Sequence, residues 1–293
     1  MKIKVITSYK PGTWEQYGKK GIESMAEQFP KEIDIVVYTE EPKPECRYDR
    51  IQWIDLNSAE PELFKFKNKH KDDPVANGEL QEIPGGVRRP AELKTKGGKD
   101  ATKGSYLWAA VRFSNKVFCV VNAVRNSKEY DYVVWIDGDT FTFRPVPIDF
   151  FTNLLPKNTM LTYLGRENPK LNDGGKYPEC GFVGYNMKHP EIQNFINDWE
   201  KLYITDEVFK LLEWHDSYIF WHLSKIYRRD RSIQVNDIGY WKGVKGHHVF
   251  VNSELGQYMD HMKGKRKKIG TSARSDLRSA PTVDYWRKAP PTI

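Results

Sequence analysis

Residues 131 to 142 read D-Y-V-V-W-I-D-G-D-T-F-T, in which an uncharged run from Tyr132 to Ile136 is followed by two aspartates one residue apart. The run has the length and the β-branched and aromatic content of a buried strand. In an α/β sheet, ligands bind beyond the carboxyl ends of the strands, and Asp137 and Asp139 stand at such an end. Their carboxylates suit a metal site, phosphoryl chemistry or a simple turn.

The segments before this strand predict a parallel α/β sheet. Residues 2–8 read as a first strand, and a helix is expected from Trp14 to Phe29. A second apolar strand, Ile33 to Tyr38, follows this helix, and the order strand, helix, strand begins a parallel sheet. A long helix from Tyr106 to Asn126 then leads directly into the strand at Tyr132.

The remaining segments extend this pattern without an internal repeat or a second domain. Further strands are predicted near 51–54, 159–164 and 248–252, and further helices near 190–203 and 214–227. Residues 65–104 are rich in Lys, Gly and Pro and are predicted to form a mobile basic loop. We therefore expect one domain over residues 1–262, followed by a basic C-terminal tail over 263–293.

The composition is that of a globular protein. Of the 293 residues, 39% are hydrophobic and 29% charged, and the 16 Tyr, 14 Phe and 9 Trp exclude a wholly disordered chain. Neither a signal-peptide core nor an apolar run long enough for a membrane span occurs, so a cytoplasmic location is expected. Cys46, Cys119 and Cys180 match no metal-binding spacing and are expected to be reduced thiols.

The net charge of +7 is concentrated near the C-terminus. From Met262 to Ile293, nine Lys and Arg residues stand against two acidic ones, an excess of seven that equals the net charge of the whole chain. Residues 65–103 add ten basic and six acidic residues. Such a distribution attracts nucleic acid or nucleotide phosphates, and a solvated flexible tail is the alternative.

The D-x-D pair favours a metal site over a phosphatase site. Carboxylate oxygens suit Mg²⁺ or Mn²⁺. Haloacid-dehalogenase phosphatases also place D-x-D after a strand, but their pattern has Thr or Val two positions after the second Asp, where Phe141 stands here. We expect Asp139 to lie in a turn outside the core, so that its replacement leaves the fold intact.

A second motif lies more than 120 residues further along the chain. Residues 261–267 read H-M-K-G-K-R-K, which is H-x-x-G-x-x-K with His261, Gly264 and Lys267. With the D-x-D pair, this motif resembles the GT-A fold nucleotide-sugar glycosyltransferases, and most of all the glycogenin-like retaining enzymes. The resemblance covers Met1 to about Lys268 and implies an α/β fold with a mixed, mainly parallel sheet flanked by helices.

The resemblance implies a metal ion and a donor site. Mn²⁺ or Mg²⁺ would be held by Asp137, Asp139 and His261, and the imidazole favours Mn²⁺. Lys267 would contact the donor diphosphate, and the tail would complete the active site at its start. Tyr9 is a candidate for stacking on the nucleotide base. The full set of candidate donor-binding residues is Thr7, Ser8, Tyr9, Arg112, Lys116, Asp137, Gly138, Gly264 and Lys267.

Two further stretches resemble the family's sugar and acceptor pocket. P-E-C-G-F-V-G-Y-N, residues 178–186, contributes Cys180 and Gly181, although a buried strand or turn would also use its glycines. E-W-H-D-S-Y, residues 213–218, contributes His215 and Asp216 to the pocket, and Asp216 with Glu213 are the candidate catalytic residues. Asp216 could instead cap a helix.

Two departures from the family pattern leave the sugar, the acceptor and the stereochemistry open. Lys268-Ile269 stands where Pro-Trp is usual, and Asp216-Ser217 stands where Asp-Gln is expected. The predicted function is metal-dependent transfer of a sugar, with retention, from a nucleotide-diphosphate sugar, with UDP favoured. The acceptor is unknown and could be modified DNA or another polyanion.

Two other functions stay open as alternatives. A nucleotidyltransferase shares the fold and the metal carboxylates but would carry a Gly-rich basic signature after the first strand, where S-Y-K-P-G stands. A non-catalytic nucleic-acid-binding protein would need neither D-x-D nor the late histidine motif.

Overall fold

The computed structural model describes residues 1–78, 106–166, 176–239 and 248–293. These residues form two sheets, one of seven strands and one of two. The strands are β1 Ile3–Ser8, β2 Asp34–Thr39, β3 Ile51–Asp55, β4 Tyr132–Ile136, β5 Thr140–Thr142, β6 Leu161–Arg166, β7 Lys176–Asn186, β8 Val235–Asp237 and β9 Met259–His261. The large sheet has the order β3-β2-β1-β4-β7-β6-β8, and β5 pairs with β9 in the small sheet.

The large sheet is mixed and mainly parallel. The pairs β1–β2, β2–β3, β1–β4 and β6–β8 are parallel, whereas β7 runs antiparallel to both β4 and β6. The small sheet is antiparallel, with Thr140 of β5 opposite His261 of β9. The fold class expected from the sequence, an α/β fold with a mixed, mainly parallel sheet flanked by helices, is confirmed.

Helices flank both faces of the large sheet. They are α1 Lys19–Gln28, α2 Leu56–Ala59, α3 Pro61–His70, α4 Ala110–Arg125, α5 Ile148–Leu154, α6 Ile192–Ile204, α7 Asp216–Asp230, α8 Val249–Asn252, α9 Arg266–Ile269 and α10 Asp284–Lys288. A π-helical turn, Trp14–Gly18, precedes α1, and 3₁₀ turns lie at Tyr106–Trp108, Glu207–Lys210, Glu254–Gln257 and Arg274–Asp276. Among the described residues, no helix combines the length and apolar character needed to cross a bilayer. The cytoplasmic location stays a prediction.

Alternate residues of the central strands point into two hydrophobic cores. On β4, Val133 and Trp135 pack with α4, α6 and α7, while Tyr132, Val134 and Ile136 pack with α1 and α5. Strand side chains alternate between the two faces, so a strand that is covered on both faces must be apolar throughout. This requirement explains the uncharged run Tyr132–Ile136, all of which is buried.

Most predicted elements are present, and the differences have physical causes. The strand predicted at 248–252 is wrong, because residues 249–252 form the short helix α8. A run of three apolar residues has no periodicity that separates a strand from a helix. Helix α3 covers residues 65–70 of the predicted loop and begins with Pro61 at its first position, a helix-start signal. The rest of that loop, 79–104, and the turn predicted at 172–175 lie outside the described residues.

The C-terminal residues pack against the domain. Trp286 is buried, and its indole N–H donates a hydrogen bond to the carbonyl oxygen of Gly256 at 2.6 Å. The ring of Tyr285 stacks on Phe143, which follows β5, with 4.1 Å between ring centroids. Aromatic stacking and burial of this kind hold the end of the chain against the small sheet.

Replacing Gly21 tests how α1 packs against the turn after β4. A Cβ atom at Gly21 would lie 2.2 Å from the carbonyl oxygen of Gly138, which is main chain and cannot rotate away. We expect Gly21→Ala to lower the free energy of unfolding by about 1–3 kcal/mol, as overpacking does. Urea unfolding followed by circular dichroism measures this change. Lys19→Ala, which breaks an exposed ion pair on the same helix, serves as the control and should stay within about 0.5 kcal/mol of wild type.

Candidate metal and donor site

The turn after β4 places the two aspartates of the D-x-D pair at the carboxyl end of the sheet. The backbone N–H of Asp137 donates to the carbonyl of Gly181, and that of Thr140 donates to the carbonyl of Asp137, both at 3.0 Å. Gly138 sits between the aspartates, and a Cβ atom there would lie 2.4 Å from the carbonyl oxygen of Ser8. Glycine is therefore required for the turn to lie against the end of β1.

The pairing of β9 with β5 brings His261 to this turn. Its Nε2 atom lies 3.3 Å from Asp137 Oδ2 and 3.3 Å from Asp139 Oδ1. His261 and Asp139 are only 3% and 5% exposed. The structure therefore gathers the three metal ligands predicted from the sequence into one cluster, in which His261 and Asp139 are buried and Asp137 is partly exposed.

The donor atoms of this cluster fit a divalent cation. One atom from each of Asp137, Asp139 and His261 lies within 4.8 Å of the others. Ligands that each bind an ion at about 2.1 Å in octahedral geometry stand roughly 3 Å apart, close to the separations seen here. Two carboxylates with one imidazole suit Mn²⁺ or Mg²⁺, with the imidazole favouring Mn²⁺. The choice of Mn²⁺ stays a prediction.

Lys267 adds positive charge on the far side of Asp139. Its ammonium lies 2.8 Å from Asp139 Oδ2 and 4.3 Å from the centre of the Tyr17 ring. Gly264, with φ of +64°, lies in the turn that leads from β9 to α9 and brings Lys267 back to the site. Burial lowers the pKa of Lys267, but the charge of Asp139 outweighs it, and the net shift is upward. Lys267 is therefore a charged group beside the cluster.

Lys116, on α4, joins Asp137 to Asp216. Its ammonium lies 2.8 Å from Asp137 Oδ1, 2.6 Å from Asp216 Oδ2 and 2.9 Å from the carbonyl oxygen of Cys180. Burial lowers the pKa of Lys116, but the two carboxylates together raise it well above its ordinary value. The indole N–H of Trp135 also donates to Asp137 Oδ1, at 2.6 Å. Asp137 is thus fixed by two donors on one oxygen while its other oxygen faces His261.

Glu179 orients His261 from behind, although no sequence motif pointed to it. Its Oε1 atom accepts a hydrogen bond from His261 Nδ1 at 3.0 Å, which leaves Nε2 directed at the aspartates. A carboxylate on the second ring nitrogen is the usual support of a metal-binding histidine. Glu179 Oε2 pairs with Arg166 at 2.5 Å and with Lys263 at 2.7 Å. An acid inside an apolar β-strand pattern was the available signal.

The charges of the cluster hold one another in their ionised forms. Burial raises the pKa of Asp137, Asp139 and Glu179, but nearby cations reverse this effect and hold all three below their ordinary range. For His261, burial lowers the pKa, and the surrounding carboxylates raise it well above 6.5. A metal ion on Nε2 would take the place of the proton there, so metal binding and proton release are coupled.

His248 supports the backbone of β9 instead of serving as a further ligand. Burial lowers the pKa of His248 to about 3, so its ring is neutral. Its Nε2–H donates to the carbonyl oxygen of His261 at 2.8 Å. Although Glu179, His248 and His261 also lie close enough to hold a cation, Arg166 and Lys263 already neutralise Glu179. A second cation there would meet like charges.

The late acidic motif lies beside the cluster. Asp216 is buried, 7% exposed, and is the first residue of α7, whereas the residue that caps the helix is His215, whose Nδ1 accepts from the N–H of Tyr218 at 3.4 Å. The capping role considered for Asp216 is therefore wrong. Glu213 has other partners: its carboxylate accepts hydrogen bonds from the Tyr177 hydroxyl at 3.1 Å and from His215 Nε2 at 2.8 Å.

Tyr9, the residue predicted to stack on the nucleotide base, is buried. Tyr9 is 5% exposed, its ring packs 5.3 Å from that of Trp14, and its hydroxyl lies 3.3 Å from Thr39 Oγ1. This burial argues against the base-stacking role, which stays a prediction. Thr7 is buried at the end of β1, and its neighbour Ser8 is partly exposed.

The remaining predicted residues divide between the site and its surroundings. Arg112 is exposed on α4, with its guanidinium 5.4 Å from the centre of the Phe113 ring, whereas Lys116, one turn later, is in the cluster. Cys180 and Gly181 are buried in β7, and a Cβ atom at Gly181 would lie 2.7 Å from the His261 ring. Asp139 was expected outside the core, and this is wrong because the charged cluster encloses it.

Comparisons with known proteins identify no family. No family profile matches the chain, and no curated protein matches it. Among solved structures, the chain is similar to apo WbbM, a bifunctional glycosyltransferase, at 13% identity and a TM-score of 0.43. The match covers 90% of this chain and 46% of WbbM, so the chain spans about half the length of that protein. Likeness at this level says nothing about activity, and function is inferred from the site residues.

Replacing Glu179 tests its support of His261. We expect Glu179→Gln to weaken Mn²⁺ binding about 10- to 100-fold, the usual effect of losing the partner of a metal-binding histidine. Titration of Mn²⁺, with free ion measured by electron paramagnetic resonance, gives the affinity. The matched control is Glu213→Gln, which removes a carboxylate that pairs with His215 and Tyr177 and lies apart from His261. Equal losses in the two variants would contradict the role of Glu179.

Proposed function

We propose that the protein is a metal-dependent glycosyltransferase that moves a sugar from a nucleotide-diphosphate sugar to an acceptor. The observation that carries this proposal is the cluster of Asp137, Asp139 and His261, with the Lys267 ammonium 2.8 Å from Asp139. Two carboxylates and an imidazole would hold a cation, and an adjacent lysine would face a diphosphate. The resemblance of these motifs to the glycogenin-like enzymes further favours a UDP-sugar and retention.

The residues of the cluster match the charge that develops during sugar transfer. When the bond between the sugar and the diphosphate breaks, negative charge grows on the leaving phosphate oxygens. A divalent ion supplies Lewis-acid stabilisation of that charge when it is bound by Asp137, Asp139 and His261. Lys267 contributes a fixed positive charge beside them, and preorganised charges of this kind often supply the greater part of an enzyme's rate acceleration.

Lys116 and Asp216 suit a role in holding the transferred sugar. Asp216 is buried, and one of its oxygens is tied to Lys116 at 2.6 Å. A carboxylate fixed in this way accepts hydrogen bonds from sugar hydroxyls with little loss of side-chain freedom. Lys116 joins Asp216 to the D-x-D turn, so the sugar and the diphosphate would be positioned by one connected set of charges. If the configuration is retained, leaving-group stabilisation carries much of the acceleration.

The ion pairs of Lys263 and Lys267 favour this proposal over a protein that binds nucleic acid without catalysis. Lys263 and Lys267 contribute to the C-terminal charge excess, but both face buried carboxylates of the cluster. A protein that only binds nucleic acid would present these charges to solvent, because its affinity comes from phosphate contacts. The acceptor stays open, and a polyanionic acceptor would have to meet the exposed cations, among them Lys265, Lys268, Arg274 and Arg278.

Replacing Asp139 tests the metal dependence. Asp139→Asn keeps the size of the side chain but removes a charged ligand, and we expect turnover of the donor to fall by at least roughly 100-fold, as when one transition-state stabiliser is lost. Donor hydrolysis or transfer, measured by release of nucleoside diphosphate, gives the rate. Asp149→Asn, at an exposed acid on α5, is the control and should leave the rate unchanged. Wild-type turnover that survives excess EDTA would exclude the metal assignment.

A panel of nucleotides tests the donor class directly. UDP, GDP and their sugar conjugates, each with and without Mn²⁺, should include one that raises the melting temperature only when Mn²⁺ is present. A ligand at 100 times its dissociation constant stabilises the folded state by about 2.7 kcal/mol, which a thermal-shift assay detects. Stabilisation by UDP would support the UDP-sugar proposal, whereas stabilisation by no nucleotide would exclude the donor class.

A further inference from the structure

The outer face of β9 carries a buried carboxylate directly next to the metal-ligand histidine. Side chains alternate along a strand, so His261 faces the cluster while Asp260 points the opposite way. Asp260 is fully buried and faces Ser272, whose N–H and hydroxyl donate to its two oxygens at 2.7 and 2.6 Å. The hydroxyl of Tyr285 donates at 2.8 Å, and that of Thr271 lies at 3.3 Å. A carboxylate is buried without severe cost only when it is bonded in this way.

These bonds close a loop that carries two lysines of the site. The chain leaves β9 after His261 and returns to Asp260 at Thr271 and Ser272. The residues in between, 263–270, are called the lysine segment here. This segment leaves out only Met262 of the loop, and within it Lys263 reaches Glu179 and Lys267 reaches Asp139. Strand β9 fixes the N-terminal end of this loop and the Asp260 side chain fixes its C-terminal end, which restricts the positions that the lysines can reach.

Two further contacts hold the lysine segment, one at Gly270 and one at Arg266. Lys20 donates to the carbonyl oxygen of Gly270 at 2.5 Å, and Gly270 adopts φ of +81°. Arg266 donates through Nε to Asp276 at 2.8 Å. Asp260 differs from these partners because it lies on the strand that supplies His261, so it ties the segment to the metal ligand itself.

We propose that Asp260 is a positioning residue that fixes the lysine segment so that Lys267 reaches Asp139 and the bound donor diphosphate. The consequence for the donor rests on the proposed function, whereas the fixing of the segment stands on the contacts alone. Asp260 itself touches neither the cluster nor the donor site, and it acts through Ser272 and Tyr285. Aspartate suits this position because the groups that face it donate hydrogen bonds. The backbone N–H of Ser272 can only donate, so the side chain opposite it has to be an acceptor.

Hydrogen exchange tests the fixing of the segment. Tyr285→Phe keeps the ring on Phe143 and removes only the hydroxyl, which reaches Asp260 and Thr271, and Ser272→Ala removes a second donor to Asp260. In the double variant we expect faster exchange of the amides of Lys267, Lys268 and Gly270, which are hydrogen-bonded within the segment, with exchange in β4 unchanged. Asp284→Asn, which breaks an exposed ion pair in the same C-terminal region, is the control. Unchanged exchange in the single and double variants would overturn the proposal.

A double-mutant cycle tests the link to Lys267. With UDP and Mn²⁺ as the probe, we expect the Ser272→Ala/Tyr285→Phe variant to bind UDP about tenfold more weakly, which is the scale of one charge-assisted contact. Its affinity for Mn²⁺ alone should not change, because the three ligands come from β9 and the turn after β4. In a Lys267→Ala background, the same two substitutions should cause no further loss of UDP affinity.

The outcomes separate the two proposals. Additive losses of UDP affinity in the Lys267→Ala background would overturn the action of Asp260 through Lys267. If the wild-type protein bound no nucleotide with any metal, the proposed function would fail, and hydrogen exchange would still decide whether Asp260 fixes the lysine segment. A fall in kcat/KM for a donor in Tyr285→Phe that disappears in the Lys267→Ala background would support positioning, since a general loss of folded protein would lower the rate in both backgrounds.

Discussion

The pairing of β9 with β5 is the constraint on which the site depends. It places His261 opposite Thr140, one residue beyond the D-x-D pair, although more than 120 residues separate them in the chain. A shift of one residue in this ladder would exchange the two faces of β9. Asp260 would then face Asp137 and Asp139, and like charges would meet without a cation between them. The register of three residue pairs thus decides whether the three candidate metal ligands meet.

Charge pairing extends this constraint through the carboxyl end of the sheet. Acidic and basic groups alternate from Asp216 through Lys116, Asp137, His261 and Glu179 to Lys263. Buried charges are tolerated only when each has a partner, and removing one strands the others. The same contacts that hold these groups in place also fix their protonation and direction. Structural support and site chemistry are therefore carried by the same side chains.

The fold could largely be predicted from sequence because its strands and long helices have strong local patterns. The apolar run at Tyr132–Ile136 and the periodic helix that became α4 needed no tertiary information. Short elements were different. The run Val249–Val251 is apolar enough for a strand, but residues 249–252 form a helix that packs against β9 and Trp286. Helix α3 was not predicted because its buried apolar stripe is narrow, with Leu63 and Phe66, and lysines occupy much of the rest of the helix.

The sequence by itself determined the class of fold and the residue types of the candidate metal cluster, because the order of strands and helices, D-x-D after a strand and H-x-x-G-x-x-K are all local patterns. Only the tertiary structure decided which partners act on them. The sequence marks Glu179 only as an acid within a strand, and its role comes from lying 3.0 Å from His261, which belongs to another strand. Tyr9 was plausible in sequence but is buried against Trp14. Distances between side chains depend on how the sheets and helices pack, and local patterns carry no record of that packing.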